Sequence, residues 1–359
     1  MQEIAPVSLL HCKEMIGPYG LYQHATIRAP LLREGYCTDD NARGVQVLLR
    51  LRATASPQQQ EMIDGLLVPM WRFLKEAEEK PGIFFNFRRA DGTWLNPDRS
   101  DDMYARVFRA LITILTIDVD QQRRVEAREM LVRLQSTLSA LHAPRAWAEI
   151  AIAASEAPEA VRKEFNLEPL IQTSVEKLLD LWRSQADELW PWFEPQMTYA
   201  NALLPHALAG ALPFTSNGDV ATILKRSAQF LVDTTILSGV FTPIGSRGWY
   251  PKGGTPSRDN QQAIEAGTMF DFLLQYQAIF PDQLSLEVIA APYLWFFGKN
   301  TGDIVLANRE IGACLDGLFI DGPNPNHGAE SMLAYLWSEA LLQTAPQLIR
   351  SYIIKKLAA

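Results

Sequence analysis

Two kinds of apolar pattern alternate along the chain. In the first, apolar residues recur at helical spacing with charged residues between them. In 121–141, Ala127, Met130, Leu131, Leu134, Leu138 and Leu141 form such a stripe, and in 167–186 Leu167, Leu170, Ile171, Val175, Leu178 and Trp182 form another. Segments 57–78, 217–236, 285–298 and 345–357 belong with them, and Pro69 is expected to kink the first. Helices of this kind keep one face in water. In the second kind the residues are apolar or small nearly all round: 40–53, 102–117, 145–156, 198–212, 260–279 and 327–343. A helix apolar on every side is buried on every side.

Six buried helices alternating with six half-exposed ones fit two concentric rings. The expectation is therefore an all-α fold, an (α/α)6 toroid of six-hairpin, glycosidase-like type, occupying 1–359 as one domain. Small residues such as Ala200, Ala202, Ala207, Ala209 and Gly210 permit close packing of the inner ring. An open solenoid of the same hairpins is the alternative. The ring is favoured because the C-terminal amphipathic segment supplies the last outer helix. The long connections, 79–101, 187–197, 237–259 and 299–326, all lead into inner helices, so one end of the ring carries the elaboration. Long loops in compact domains are commonly functional. Within the first, Gly82 to Phe87 followed by Asp91-Gly92-Thr93-Trp94 reads as a short β-hairpin near 82–95.

The chain has 359 residues, 48% hydrophobic and 21% charged, with a net charge of -8. No basic stripe offers itself to nucleic acid, and an acidic chain has little attraction for an anionic membrane surface. No secretory signal is read in Met1–Ile16, and no apolar run is long enough for a membrane span. Cys12, Cys37 and Cys314 lack CxxC spacing and read as reduced thiols of a cytoplasmic protein.

Acids and amides gather where the long loops meet the inner helices. Thr38-Asp39-Asp40-Asn41-Ala42-Arg43 opens the first, and Ser100-Asp101-Asp102-Met103-Tyr104-Ala105-Arg106 opens the second as a weak repeat. Trp190-Pro191-Trp192-Phe193-Glu194 precedes the fourth, which carries Tyr199 and Asn201. Asp259, Gln261, Gln262 and Glu265 mark the fifth, and His327 and Glu330 the sixth. Helix capping accounts for any one of these acids. It accounts less well for Glu265 and Glu330, which lie inside otherwise apolar helices where an unpaired charge is costly.

Carboxylates facing a common axis suit glycosidic chemistry, with one acid protonating the leaving oxygen and another activating water or attacking carbon. Asp102 and Glu330 are the expected catalytic pair, with Asp40 and Asp259 positioning substrate or water. Asp39, Asn41, Arg43, Asp101, Arg106, Glu194, Asn201, Gln261, Gln262, Glu265 and His327 are expected to bind it. Trp192, Trp249 and Tyr250 offer rings for sugar stacking, although core packing explains such residues equally well. Lys252, in Gly-Trp-Tyr-Pro-Lys-Gly-Gly, offers a contact to a phosphate or sugar acid. No metal or cofactor is expected: the histidines show no HxxxH, and Cys314, Asp316 and His327 only weakly mimic a zinc set. No Walker, GxGxxG or GxSxG motif occurs.

GYCTDDNAR (35–43), FFNF (84–87), SDDMYAR (100–106), WPWFE (190–194), TYANALLP (198–205), GWYPKGG (248–254), DNQQAIEA (259–266), CLDGL and NHGAESMLAYL (to 336) resemble a bacterial family of glycosidase-like (α/α)6 proteins. The resemblance runs in order over about 35–336. Related modules are similar to regions joined to, or associated with, group 1 (family-four-type) glycosyltransferases, and to neighbours of mannoside phosphorylases. The family's DQQ-P-IEA run reads DNQQAIEA here, which unsettles the place of Asp259. The resemblance implies an enzyme acting on a glycosidic bond of a small saccharide, such as a mannoside. The alternatives are a non-catalytic carbohydrate-binding partner of a glycosyltransferase, and a sugar epimerase or isomerase on the same fold. The chain itself lacks the βαβ patterning of a glycosyltransferase.

Overall fold

The structure, a computed structural model, describes residues 6–95 and 100–358. The expected domain span and the first long loop therefore each include a few residues outside it. The helices are α1 (Leu10–Glu14), α2 (Thr38–Arg52), α3 (Pro57–Ala77), α4 (Asp101–Ile117), α5 (Gln121–Leu138), α6 (Pro144–Glu156), α7 (Glu159–Glu164), α8 (Glu168–Gln185), α9 (Leu203–Ala211), α10 (Asp219–Thr235), α11 (Ala263–Ile279), α12 (Leu286–Trp295), α13 (Ala329–Thr344) and α14 (Gln347–Leu357).

The apolar-all-round helices pack in sequence, α2 on α4, α4 on α6, α6 on α9, α9 on α11 and α11 on α13. Helix α13 then packs on α2. That last contact closes the ring and removes the solenoid. Outside it, α3, α5, α8, α10 and α12 pack against α2, α4, α6, α9 and α11, while α14 rests on α12. One apolar cluster runs through both rings. Among the described residues, no helix is long and apolar enough to cross a membrane.

Local sequence sets the ends. Ser56 and Gln59 form a reciprocal capping box at the start of α3, which continues through Pro69 as one helix. Helix α9 begins later than the apolar pattern predicts. Asn201 takes the Thr198 N–H on Oδ1 (3.0 Å) and gives Nδ2 to the Thr198 carbonyl (2.6 Å), which holds 198–201 in a turn. Ala200 in that turn has φ +45°. Helix α11 also starts late, because Gln261 is paired through its backbone with Leu318 at 2.8 and 2.9 Å.

The expected hairpin is divided among three partners. Glu78–Lys80 pairs with Ile83–Phe84, and Phe87–Arg88 pairs with Tyr36–Cys37. Only the Arg88–Trp94 bridge closes over the Asp91-Gly92 turn, where Gly92 has φ +92°. The other described strands are likewise short two-stranded ladders within the connections. Thr38 gives its N–H to Asn86 (2.7 Å) and its hydroxyl to Phe85 (2.6 Å), so this loop fixes the start of α2.

Candidate functional site

The N-terminal ends of the inner helices meet at one mouth of the ring, and their first turns bond across it. Cys37 precedes α2; its Sγ accepts the Asp40 N–H (3.4 Å) and donates to Asp40 Oδ2 (3.0 Å). Arg43, one turn on, gives Nη2 to Asp40 Oδ1 (2.7 Å) and to Glu330 Oε2 on α13 (3.0 Å). Its Nε lies 3.1 Å from Asp39 Oδ1, too bent for a hydrogen bond. Arg106 on α4 pairs with the other Asp39 oxygen and stands 3.9 Å from Asp102. Asp102 Oδ2 accepts the Tyr199 hydroxyl at 2.6 Å, while its Oδ1 is buried without a partner among the described residues.

The two acids of the Asp39-Asp40 doublet are driven apart. Burial works against ionisation of Asp39, but Arg106 and Arg43 outweigh it and hold the carboxyl below its usual range. Burial dominates at Asp40 despite Arg43, and the charges of Asp39 and Glu330 add to it, pushing that carboxyl up to about 6. Arg43 and Arg106 stay charged although buried, because Asp39 lies against both.

A second network supports Tyr199. Arg145 on α6 donates through Nη1 to both oxygens of Glu194 (2.7 Å each) and through Nε to the Tyr199 carbonyl (2.7 Å). Its guanidinium lies 4.8 Å from the Tyr199 ring centre. From α11, Glu265 accepts the Ala200 N–H and the Asn201 side-chain amide (3.3 Å). Burial pushes its carboxyl up to about 7, against these hydrogen bonds.

Glu330 opens onto a cavity of about 460 Å³ whose wall includes His24, Asn260, Gln262, Asn324 and Asn326. Among the described residues, no lysine or arginine lines it. Its polar groups are mostly amide and carboxylate, which match hydroxyl groups rather than anions.

Several residues expected to bind substrate are spent elsewhere. Asp101 accepts the N–H groups of His142 (2.6 Å) and Ala143 (2.8 Å), so it caps α6 from the start of α4. Asn41 is fully buried and staples Leu21 through its N–H (2.9 Å) and carbonyl (3.3 Å). Gln261 bonds Thr301 (2.8 Å) and the Trp295 indole (3.2 Å) inside the protein. Trp192 is not a cleft wall: it is 0% exposed and packs on Phe193 and Phe230. Lys252 reaches away to Gln185 (2.7 Å) and Asp187 (2.6 Å), past the end of α8. His327 is tied to the N-terminal segment, with Nδ1 3.1 Å from the Ile27 carbonyl. Asp259 accepts the Ile320 N–H (3.2 Å) and faces Arg247 (3.6 Å), rather than joining the Arg43 cluster. Trp249 and Tyr250 are half-buried, with Tyr250 against Trp190 at 4.9 Å.

Tyr199, Arg145, His24 and the asparagines of the cavity wall were not among the expected site residues. Tyr199 carried a readable signal, a phenol at the start of an apolar segment beside Asn201. Arg145 lies on α6 and is drawn in by Glu194, and His24 and the asparagines are brought in by loops whose course the sequence pattern does not reveal.

No family model matches the chain, and no curated protein matches it. Solved structures do share its fold. A cellobiose 2-epimerase from Spirochaeta thermophila aligns with TM-score 0.68 at 14% identity, over 94% of this chain and 92% of that one. A D-mannose isomerase aligns with TM-score 0.69 at 10% identity, over 94% and 95%. An inactive variant of an α-1,6-mannanase from Salegentibacter sp., bound to α-1,6-mannotriose, aligns with TM-score 0.59 at 12% identity, over 93% and 96%. At these identities the likeness establishes the (α/α)6 toroid. A glycosyltransferase partner and an association with mannoside phosphorylases rest on the motif resemblance alone.

Proposed function

We propose that the chain is a carbohydrate-active enzyme that binds a small uncharged saccharide at the N-terminal mouth of the ring and acts on its glycosidic bond. The observation that carries this reading is the bridge made by one nitrogen of Arg43. Asp40 and Glu330 both bond it, so their nearer oxygens lie within about 6 Å of each other, compatible with the roughly 5–5.5 Å of a retaining carboxylate pair. Asp40, held up by burial, serves as the proton donor. Glu330, open to the amide-lined cavity, serves as the carboxylate. Asp102, oriented by Tyr199, positions the substrate, and so replaces neither member of the pair. A mannoside is the substrate to try first, given the motif resemblance.

The test is turnover of a panel of small oligosaccharides by the wild type, Asp40→Asn, Glu330→Gln and Asp102→Asn, with binding measured in parallel. Loss of either member of the acid/base pair lowers turnover by about 10²–10⁴-fold with binding retained. Unchanged turnover in both pair variants rejects the assignment. Binding without any wild-type turnover favours a carbohydrate-binding module. The epimerase or isomerase reading draws support from His24 in the cavity wall, a group able to move a proton. It predicts an isomerised sugar of unchanged size, which product analysis separates from bond cleavage.

A further inference from the structure

The ring has a second mouth, at the C-terminal ends of the inner helices. A cavity of about 380 Å³ opens there, with Thr113, Thr116, Glu156, His206, Asp271 and Gln275 in its wall. Its size lies within the roughly 300–1,000 Å³ of small-molecule sites. Ion-paired side chains on the ring axis lie between it and the acidic cluster: Arg109 bonds Glu149 at 2.9 Å and Asp271 at 3.4 Å.

The charges of this wall are matched among themselves. Arg50 pairs with Glu156 at 2.7 Å, and Arg109 with Asp271. Among the described residues, the mouth therefore has no unpaired charge to recognise an ion. Its hydrogen-bonding capacity is unbalanced in another way. Thr113 gives its hydroxyl proton to the Arg109 carbonyl (2.8 Å), and Thr116 gives its own to Ile112 (2.7 Å). Each hydroxyl then has only lone pairs to offer. Among the described residues, Gln275 Oε1 has no partner, and His206, 1% exposed, has none on Nδ1. Buried polar atoms left unpaired are costly, and clusters of them call for an explanation. Ile112 and Leu274 complete the wall with apolar surface.

We propose that the C-terminal mouth is a second binding site, for a neutral polyol of about monosaccharide size. Such a ligand donates several hydroxyl hydrogen bonds to Thr113, Thr116, Gln275 and His206, and lays its C–H face on Ile112 and Leu274. The site stands independently of the chemistry assigned to the N-terminal mouth.

The five histidines allow the two mouths to be observed separately by histidine-selective NMR. His206 reports the C-terminal mouth and His24 the N-terminal cavity, each assigned by loss of its resonance in a His→Gln variant. The probes are D-mannitol, myo-inositol and D-mannose, with spermidine and inorganic phosphate as charged controls. The expected result is a saturable, millimolar shift of His206 with at least one neutral polyol, weakened about tenfold in Gln275→Leu and in Thr116→Val. Thr116→Val preserves shape, so it remains informative if the leucine variant folds poorly. A shift of His24 alone, a His206 shift only with spermidine or phosphate, or undiminished affinity in the folded variants overturns the proposal.

Discussion

Glu265→Gln is a single-atom change at a point where several demands converge. The carboxylate accepts the Ala200 N–H and the Asn201 side-chain amide, and so pins a turn in which Ala200 has φ +45°. A non-glycine residue in that region costs about 1–2 kcal/mol, which the surroundings must offset. The amide group of the variant can accept one donor, but its NH2 then faces the other. One buried donor is left unsatisfied, a loss of about 1–3 kcal/mol. The size of the effect depends on pH. Burial raises the Glu265 carboxyl from 4.5 to about 7, so the folded protein holds this proton more tightly than the unfolded chain does. The resulting stabilisation is fully present below about 4.5 and is lost as pH rises through about 7, a change of about 3 kcal/mol. Glutamine does not titrate, so the penalty of the variant should shrink by most of that amount between about pH 5 and pH 8. Urea unfolding of both proteins across this range measures it. Turnover should fall as well, because the pinned turn presents Tyr199 to Asp102. A stability difference that is constant with pH would refute the reasoning.

Asp101→Ala removes the carboxylate that caps α6, and should cost about 1 kcal/mol in urea unfolding with turnover unchanged. A fall in turnover at constant stability would instead put Asp101 at the substrate. Arg43→Met leaves Asp39, Asp40 and Glu330 without the cation they share and should destabilise by about 3–5 kcal/mol, with the Asp40 carboxyl rising further; equilibrium unfolding and the pH–rate profile read the two effects. If Asp40 is the proton donor, kcat/KM of the wild type should fall about tenfold per pH unit above about 6, and a profile flat from pH 5 to pH 8 excludes that role.

The ring was legible because its cause is local. A helix that is apolar all round has nowhere to go but inward, and the alternation of such helices with amphipathic ones fixes two layers. The acidic cluster was legible only to the level of which end of the ring carries it. Asp101 and Asp102 look alike in sequence, yet Asp101 caps α6, some forty residues on, while Asp102 turns to Tyr199. Both partners come from other hairpins, and periodicity holds no record of such contacts. Trp192 shows the same limit from the other side. An aromatic in a loop is read as exposed, but this loop folds back onto α10, where Phe230 meets the ring, and contributes to the core. The late start of α9 has a local cause, the Thr198–Asn201 turn, but that turn is held by Glu265 from α11, and the two facts make sense only together.

The division of labour within the acidic cluster follows from where each acid finds its cation. Asp39 is reached by two arginines from different helices and is held ionised. Asp40, its neighbour in sequence, meets a thiol on one oxygen and shares Arg43 with Glu330 on the other. One cation between two carboxylates cannot satisfy both fully, and burial pushes the Asp40 carboxyl up to about 6. A carboxyl raised by its surroundings, with a second acid in reach, is what acid/base catalysis requires. Asp102 stands apart from this pair: a phenol hydroxyl bonds and orients it, and Arg106 lies 3.9 Å away. On the proposed reading the reactive pair is therefore Asp40 and Glu330, which share Arg43, rather than Asp102 and Glu330.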